Sequence, residues 1–362
     1  MSVVSEIERI KTNIANAYTE LENKGATLPT ERNSANLSSV IVEIPTGGGT
    51  VEKGIIINEC DSDGYATDVS VVGMTSLPNY YFYTHSEGGG FSKMVKLNLT
   101  NTITSIGNSV FYNCKYLSLS KLPENITSIG TYAFYYCYKL ALTSLPEGLT
   151  SIGTYAFQGC NKLALTSLPN SLTSLGTSVF NGCGVLALTS LPENLTSIGN
   201  SCFFGCAEMT ISSLPNNLTT IGSSSFERCS KMTISSLPEG LTSLGGTAFR
   251  DCSNITIKEL PAGIVKLSGS TFRNCKGLTE LTCKGAITSI GSYEFNACSN
   301  LTKLVLPNIT SVPTLSNTNA FTNTPIASKT GYIYVPDSLV DSFKTASNWS
   351  TYASQIKGVS EL

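Results

Sequence analysis

The chain has 362 residues, only 13% of them charged, and its 23 basic residues against 25 acidic ones leave a net charge of −2. That balance excludes the basic stripe that nucleic-acid binding needs, and no stretch approaches the roughly 18 uncharged apolar residues of a membrane-spanning helix. One histidine, His85, excludes histidine-rich metal sites.

Residues 1–46 form the first predicted unit, a helical anchor. The start, MSVVSEIERIKTN, turns charged at residue 6 and lacks the apolar run of a secretory signal. An oxidising destination is therefore not expected for the twelve cysteines. Ser5 with Glu8 makes a capping box. A helix is expected from about Glu6 to Lys24, stopped by Gly25. Ile7, Ile10, Ile14, Ala17 and Leu21 fall at alternating heptad spacings. Isoleucine at both heptad positions favours three or four strands, so this segment is the predicted oligomerisation seam, a trimer included. Fewer than three heptads is also short enough for a helix that packs on its own chain. A second short helix is expected near 36–42, and Gly47-Gly48-Gly49 reads as a linker. Ala17, Tyr18, Lys24, Gly25, Pro29, Asn33, Asn36, Leu37, Ile41 and Pro45 make this stretch similar to lead segments of tail-associated proteins of phages and prophages. The resemblance implies docking onto other tail proteins, and a virion protein assembled in the bacterial cytoplasm.

Residues 51–90 read as an N-terminal cap. Strands are expected at 54–57 and 66–72, joined by the turn Asp61-Ser62-Asp63-Gly64. That turn lacks the remaining acidic ligands of a calcium loop.

Residues 91–325 repeat. Phenylalanines stand at 111, 134, 157, 180, 203, 226, 249, 272 and 295, every interval being 23, and nine cysteines follow each at an offset of three. Leu-Pro recurs in step from Leu122-Pro123 to Leu260-Pro261. In one unit, Leu163 and Leu165 alternate with Ala164 as a short strand with one buried face. Pro169 ends it, because proline donates no ladder bond. Leu172 and Leu175 turn inward, Gly176 permits the next bend, and Val179, Phe180 and Cys183 close the coil with a short helical turn. One coil cannot bury these residues alone, so coils stack into a solenoid. A degenerate first turn centres on Phe91 and Met94, and a last one ends near Phe321.

This unit resembles the leucine-rich repeat of the BspA-like family, C-x-x-L-x-x-I-x-I-P-x-x-L-x-x-I-G-x-x-A-F-x-x-C, most closely from Cys298 through Leu301, Leu304, Leu306, Pro307 and Ile309. It implies an α/β leucine-rich repeat solenoid with terminal caps, and the adhesion or recognition work of surface proteins rather than catalysis. Residues 326–362, with a strand at 331–336, an N-capped helix at 337–343, and Trp349 and Tyr352, resemble the family's C-terminal cap.

The ladder cysteines fit buried thiols, inter-coil disulfides or a metal site; the absence of paired C-x-x-C spacing favours thiols. Cys202 fills a slot held elsewhere by Ala133, Ala156 and Ala248. Cys60 and Cys283 receive no role, and His85 reads as a loop residue. No nucleophile, metalloprotease, P-loop or dinucleotide motif occurs, so neither enzyme nor cofactor is expected.

The outward strand positions, such as Lys162, Ala164 and Thr166, are small and mildly polar. Tyrosine concentrates elsewhere: eleven of sixteen lie between 65 and 155. Tyr112 and Tyr135 occupy the slot after the repeat Phe, which later turns fill with Gln158, Asn181, Glu227 and Arg250; Tyr132 and Tyr155 occupy the slot two before it, where later turns mostly have Ser; Tyr136 and Tyr138 adjoin them. These six are the predicted ligand-binding residues, for a host-surface glycan or protein, unless they pack against the cap or the N-terminal helix. The resulting expectation is a non-catalytic tail-associated recognition protein; the alternative is a bacterial surface adhesin or an interaction scaffold.

Overall fold

The computed structural model describes residues 41–43, 54–62, 65–83 and 91–362. The chain divides into two compact units, Met1–Ala164 and Leu165–Leu362. Both are parallel β-solenoids winding one turn per 23 residues.

In the first unit, Gly54–Cys60 and Ala66–Val72 pair antiparallel, as the cap pattern predicts. Ile41–Glu43 adds to them as a strand, not as the helix expected near 36–42. Two of its three residues are β-branched, which favours a strand. The cap then joins Lys96–Leu99 in parallel. Winding follows through Ser76–Leu77, Ser105–Ile106, Ser128–Ile129 and Ser151–Ile152, one two-residue strand per turn. Ser105 pairs with Ser128 and Ile106 with Ile129, so the register equals the repeat.

The second unit continues the same grammar with four strands from Ser174–Leu175 to Ser243–Leu244, then three from Lys266–Leu267 to Thr314–Leu315. A five-stranded sheet joins Glu259–Leu260, Glu280–Cys283, Lys303–Val305, Tyr332–Val335 and Ile356–Gly358. It closes under Val340–Thr345, where Trp349 and Tyr352 pack against Phe321 at 6.2 and 5.2 Å. Asp337 does not cap that helix; its carboxylate accepts from Ser360 Oγ at 2.6 Å.

Within each turn the ladder falls on Ser-Ile or Ser-Leu before glycine, not on Leu-x-Leu. The Leu-x-Leu stretch makes single bonds, such as Ala164 N to Leu142 O at 3.1 Å. Proline blocks its extension: Glu259–Leu260 stops at Pro261 after two residues, whereas Glu280–Cys283, with no proline, runs to four. The glycine after the ladder answers a close approach. A Cβ on Gly130 would stand 2.5 Å from the Gly107 carbonyl carbon.

The side bearing Phe is built from tight turns rather than the expected short helical turn. Two residues per turn take left-handed backbone, two before and two after the phenylalanine: Ser178 and Gly182 around Phe180, Ser201 and Gly205 around Phe203. Phe111, Phe134 and Phe157 stack at 5.0 and 5.2 Å in the first unit. Phe180 to Phe321 stack at 5.5–6.0 Å in the second. Each ring is fully buried, an aromatic burial of about 2–3 kcal/mol. The column begins with Phe82, stacked on Phe111 at 5.4 Å. Phe91, expected to centre that turn, packs edge-on against Phe82 at 5.0 Å.

The cysteines answer the same geometry. Cys137 Sγ donates to Phe111 O at 3.0 Å, Cys160 to Phe134 O at 3.1 Å, and Cys252 to Phe226 O at 2.9 Å. Each thiol spends its proton on the carbonyl of the preceding turn's phenylalanine. Burial pushes Cys114 and Cys298 up to about 12, and Cys137, Cys206, Cys229 and Cys275 well above the ordinary value. All twelve cysteines are free thiols, Cys60 half-buried and the others buried. Asparagine serves likewise: Asn125 and Asn194 Nδ2 donate to Asn101 and Asn170 carbonyls. The repeated Asn-x-Thr phrases therefore have a structural origin.

Candidate binding ridge

The six predicted tyrosines form one ridge along the turn side of the first unit. Three columns run through it, at offsets of −2, +1 and +2 from each core phenylalanine. Tyr132 and Tyr155 stack at 4.8 Å and 7° in the −2 column. Tyr112 and Tyr135 stack at 4.9 Å and 19° in the +1 column. Edge contacts at 5.3 Å between Tyr132 and Tyr135, and at 6.2 Å between Tyr112 and Tyr132, tie the columns together. Tyr136 lies 4.2 Å from Tyr135 and 5.6 Å from Tyr138. Each of the six is half-buried except Tyr138, which is exposed.

Two tyrosines missed by sequence reasoning extend the ridge. Tyr83 lies 5.0 Å from Tyr112 in the +1 column, and Tyr80, 61% exposed, sits 5.5 Å from Tyr83. The signal was present. Asn79-Tyr80-Tyr81-Phe82-Tyr83 aligns with Asn108-Ser109-Val110-Phe111-Tyr112 once Phe82 is taken as the core residue. The expected turn on Phe91 hid it.

The backbone under these rings sets tyrosine against folding. Tyr132, Tyr136 and Tyr155 have φ of 57°, 56° and 61°. The left-handed region costs a residue with a Cβ about 1–2 kcal/mol, and glycine, or asparagine and aspartate, suit it better. Elsewhere the −2 slot holds Ser178, Ser201 and Ser224 but also Thr247 and Tyr293, and the +2 slot holds Gly159, Gly182 and Gly205 besides Arg228 and Asp251. The Tyr136 ring also covers Gly159, where a Cβ would meet its Cδ1 at 2.2 Å. Chemically the ridge offers aromatic edges and clustered phenols. Burial first, then the phenols of Tyr83, Tyr132 and Tyr136, push the Tyr112 hydroxyl up. Burial and a hydrogen bond with Tyr136 push Tyr135 up further. The Tyr112 and Tyr135 hydroxyls thus stay neutral over the physiological range.

Other candidates fare differently. Ile7, Ile10, Ile14, Ala17, Leu21 and His85 lie outside the described residues. Among the described residues, no group of three His, Cys, Asp or Glu is placed to hold a metal, and no helix is long and apolar enough to cross a membrane. One titratable group was overlooked. Glu294 is fully buried, in the −1 slot that Ala133, Ala156 and Ala248 fill elsewhere. Its Oε2 accepts from Gly269 N at 2.8 Å and Thr271 N at 3.3 Å. Its Oε1 has no hydrogen-bond partner, with the Thr271 hydroxyl beside it outside bonding geometry. Burial raises its carboxyl to about 7 against those two backbone donors.

The BspA type leucine rich repeat region matches residues 75–210 and 196–328 in six copies. No curated relative matches the chain. Among solved structures, a leucine-rich repeat protein from Bacteroides ovatus is similar at 21% identity and TM-score 0.46, covering 86% of this chain and 99% of that one. A leucine rich cell surface protein from Faecalibacterium prausnitzii shares 18% identity at TM-score 0.43, covering 87% of this chain and 94% of that one. The functional domain of InlJ from Listeria monocytogenes, which includes a cysteine ladder, shares 14% at TM-score 0.18, covering 81% and 75%. The tail-protein resemblance of residues 1–45 has no counterpart among these matches. With its matched span running over 254 of 362 residues, from 75 to 328, the chain belongs to the BspA-type leucine-rich repeat family.

Proposed function

We propose that the protein is a non-catalytic recognition protein working at a cell surface, and that its tyrosine ridge binds a surface glycan or protein. One observation carries this reading: tyrosine occupies left-handed positions at Tyr132, Tyr136 and Tyr155, where several other turns fold with serine in the −2 slot or glycine in the +2 slot. A residue that opposes local folding and stays half-exposed is explained by use. Rigid amphipathic rings lose little entropy on contact. This reading follows the adhesin alternative. The tail-anchor reading rests on residues 1–45 alone and receives no support from the family match, which begins at residue 75.

The test is Tyr135→Ser with Tyr155→Ser, probed on a glycan array and on intact bacterial and epithelial cells. Lost attachment at an unchanged melting temperature is the expected result. Attachment retained by the double variant refutes the ridge as the reader.

A further inference from the structure

The corresponding slots of the second unit carry charge. Arg228, Arg250 and Arg273 are the only arginines among the described residues, and they stand on three consecutive turns of one ridge. Arg228 and Asp251 hold left-handed backbone, φ 65° and 61°, where Gly182 and Gly205 stand in other turns of the same unit. Folding alone does not call for an arginine at Arg228, since glycine holds that slot at lower cost.

The arrangement is pre-set. The Arg228 guanidinium lies over the Phe204 ring at 5.3 Å and 4.0 Å from Asp251 Oδ2. Arg250 reaches Asp251 at 3.6 Å and Glu227 at 3.5 Å, and Asn274 Nδ2 fixes Asp251 Oδ1 at 2.9 Å. Arg273 lies over Tyr293 at 5.3 Å and has no carboxylate in ion-pair range among the described residues. Tyr293 is 42% exposed, and the Arg228 side chain 58%. Arginine seated on an aromatic face keeps its donor edge free and loses little freedom on binding. Arginine and tyrosine are also the residues that dominate interface energies.

We propose that this ridge docks an extended acidic peptide segment of a partner protein, with Arg228 and Arg273 receiving its carboxylates. Stacked turns repeat at about 4.8 Å, so residues two turns apart stand about 10 Å apart. A polyproline-type or extended chain advances about 3.1–3.4 Å per residue. Carboxylates three residues apart therefore match the two guanidinium groups. Asp251 and Glu227 lie between the arginines and repel a continuous polyanion, which favours spaced acids on a peptide over a sulfated or uronate glycan. This surface is separate from the tyrosine ridge, and either can fail without the other.

The probe is fluorescein-labelled acetyl-(Glu-Pro-Pro)4-amide, with the (Gln-Pro-Pro)4 peptide as control, read by anisotropy on the full chain at low salt. Tighter binding of the glutamate peptide, weakened at least tenfold by Arg273→Gln and by Arg228→Gln but unchanged by Lys231→Gln, is the expected result. Melting curves of the variants confirm that they fold, and Arg273→Lys supplies a second variant that keeps the charge but loses the fork. Equal binding of the two peptides, or binding indifferent to both arginines, overturns the proposal. So does tighter, arginine-dependent binding of heparin, which assigns the ridge to anionic glycans.

Discussion

The two units share one backbone and differ in what they place on it. In the first, the slots flanking the core phenylalanine hold Tyr112, Tyr132, Tyr135, Tyr136 and Tyr155; in the second, the same slots hold Ser178, Ser201, Glu227, Arg228, Arg250 and Asp251, with Tyr293 in the −2 slot of Phe295. Core rings, glycines and thiol donors are alike in both. The difference teaches that the core sets the turn and leaves the flanking slots open to selection for something other than folding. At Tyr136 the left-handed backbone sharpens this, because it penalises a residue with a Cβ where Gly159, Gly182 and Gly205 stand in other turns.

If the cores are equivalent, Phe134→Ala and Phe203→Ala should cost alike, about 3–5 kcal/mol each. Both rings are fully buried between stacked neighbours. Denaturant melts check this, and a mild loss at either site removes that ring from the core.

Glu294 belongs to the second unit alone. Its folded carboxyl titrates at about 7 against an ordinary 4.5, so the native state holds its proton more tightly than the unfolded chain. The associated stability is complete below pH 4.5 and is lost as pH rises through 7, by about 3 kcal/mol. Glu294→Gln should flatten that part of the profile between pH 5 and 8. An unchanged profile would show the carboxylate to be solvated.

Gly159 and Gly205 share φ of 74°, but only the first meets a tyrosine ring. Both alanine variants carry the backbone penalty of about 1 kcal/mol. Gly159→Ala must also displace Tyr136, so it should cost more and weaken attachment, whereas Gly205→Ala leaves attachment intact. The smallest stability effect concerns the thiols. Ladder cysteines should resist a thiol reagent in the native protein and react fully in denaturant; rapid native reaction contradicts their burial.

The solenoid was legible because period 23 repeats core residues that have one role each. The ridge was legible because tyrosine departs from the slot's usual residue. What stayed hidden has physical reasons. The insertion at 84–90 displaced the first turn, so Phe91 was read in place of Phe82, and Tyr80 and Tyr83 were lost with it. Positive φ leaves no mark when serine, threonine and tyrosine share the −2 slot and glycine, tyrosine and arginine the +2 slot. Glu294 was visible as an acid among alanines, yet its burial needed the stacked turns. The helix expected near 36–42 gave way at 41–43 to strand pairing with the cap, a long-range contact that local pattern does not encode.

The central claim is that the ridge tyrosines are kept for binding and not for folding. Tyr132→Ser combined with Tyr136→Gly tests it, since each change installs a residue type that other turns already use at the same φ. The free energy of unfolding should stay level or rise by up to about 1 kcal/mol, while attachment to cells falls away. A loss of stability beyond about 2 kcal/mol, with attachment reduced only in proportion to the unfolded fraction, would contradict it and make the rings part of the core's support.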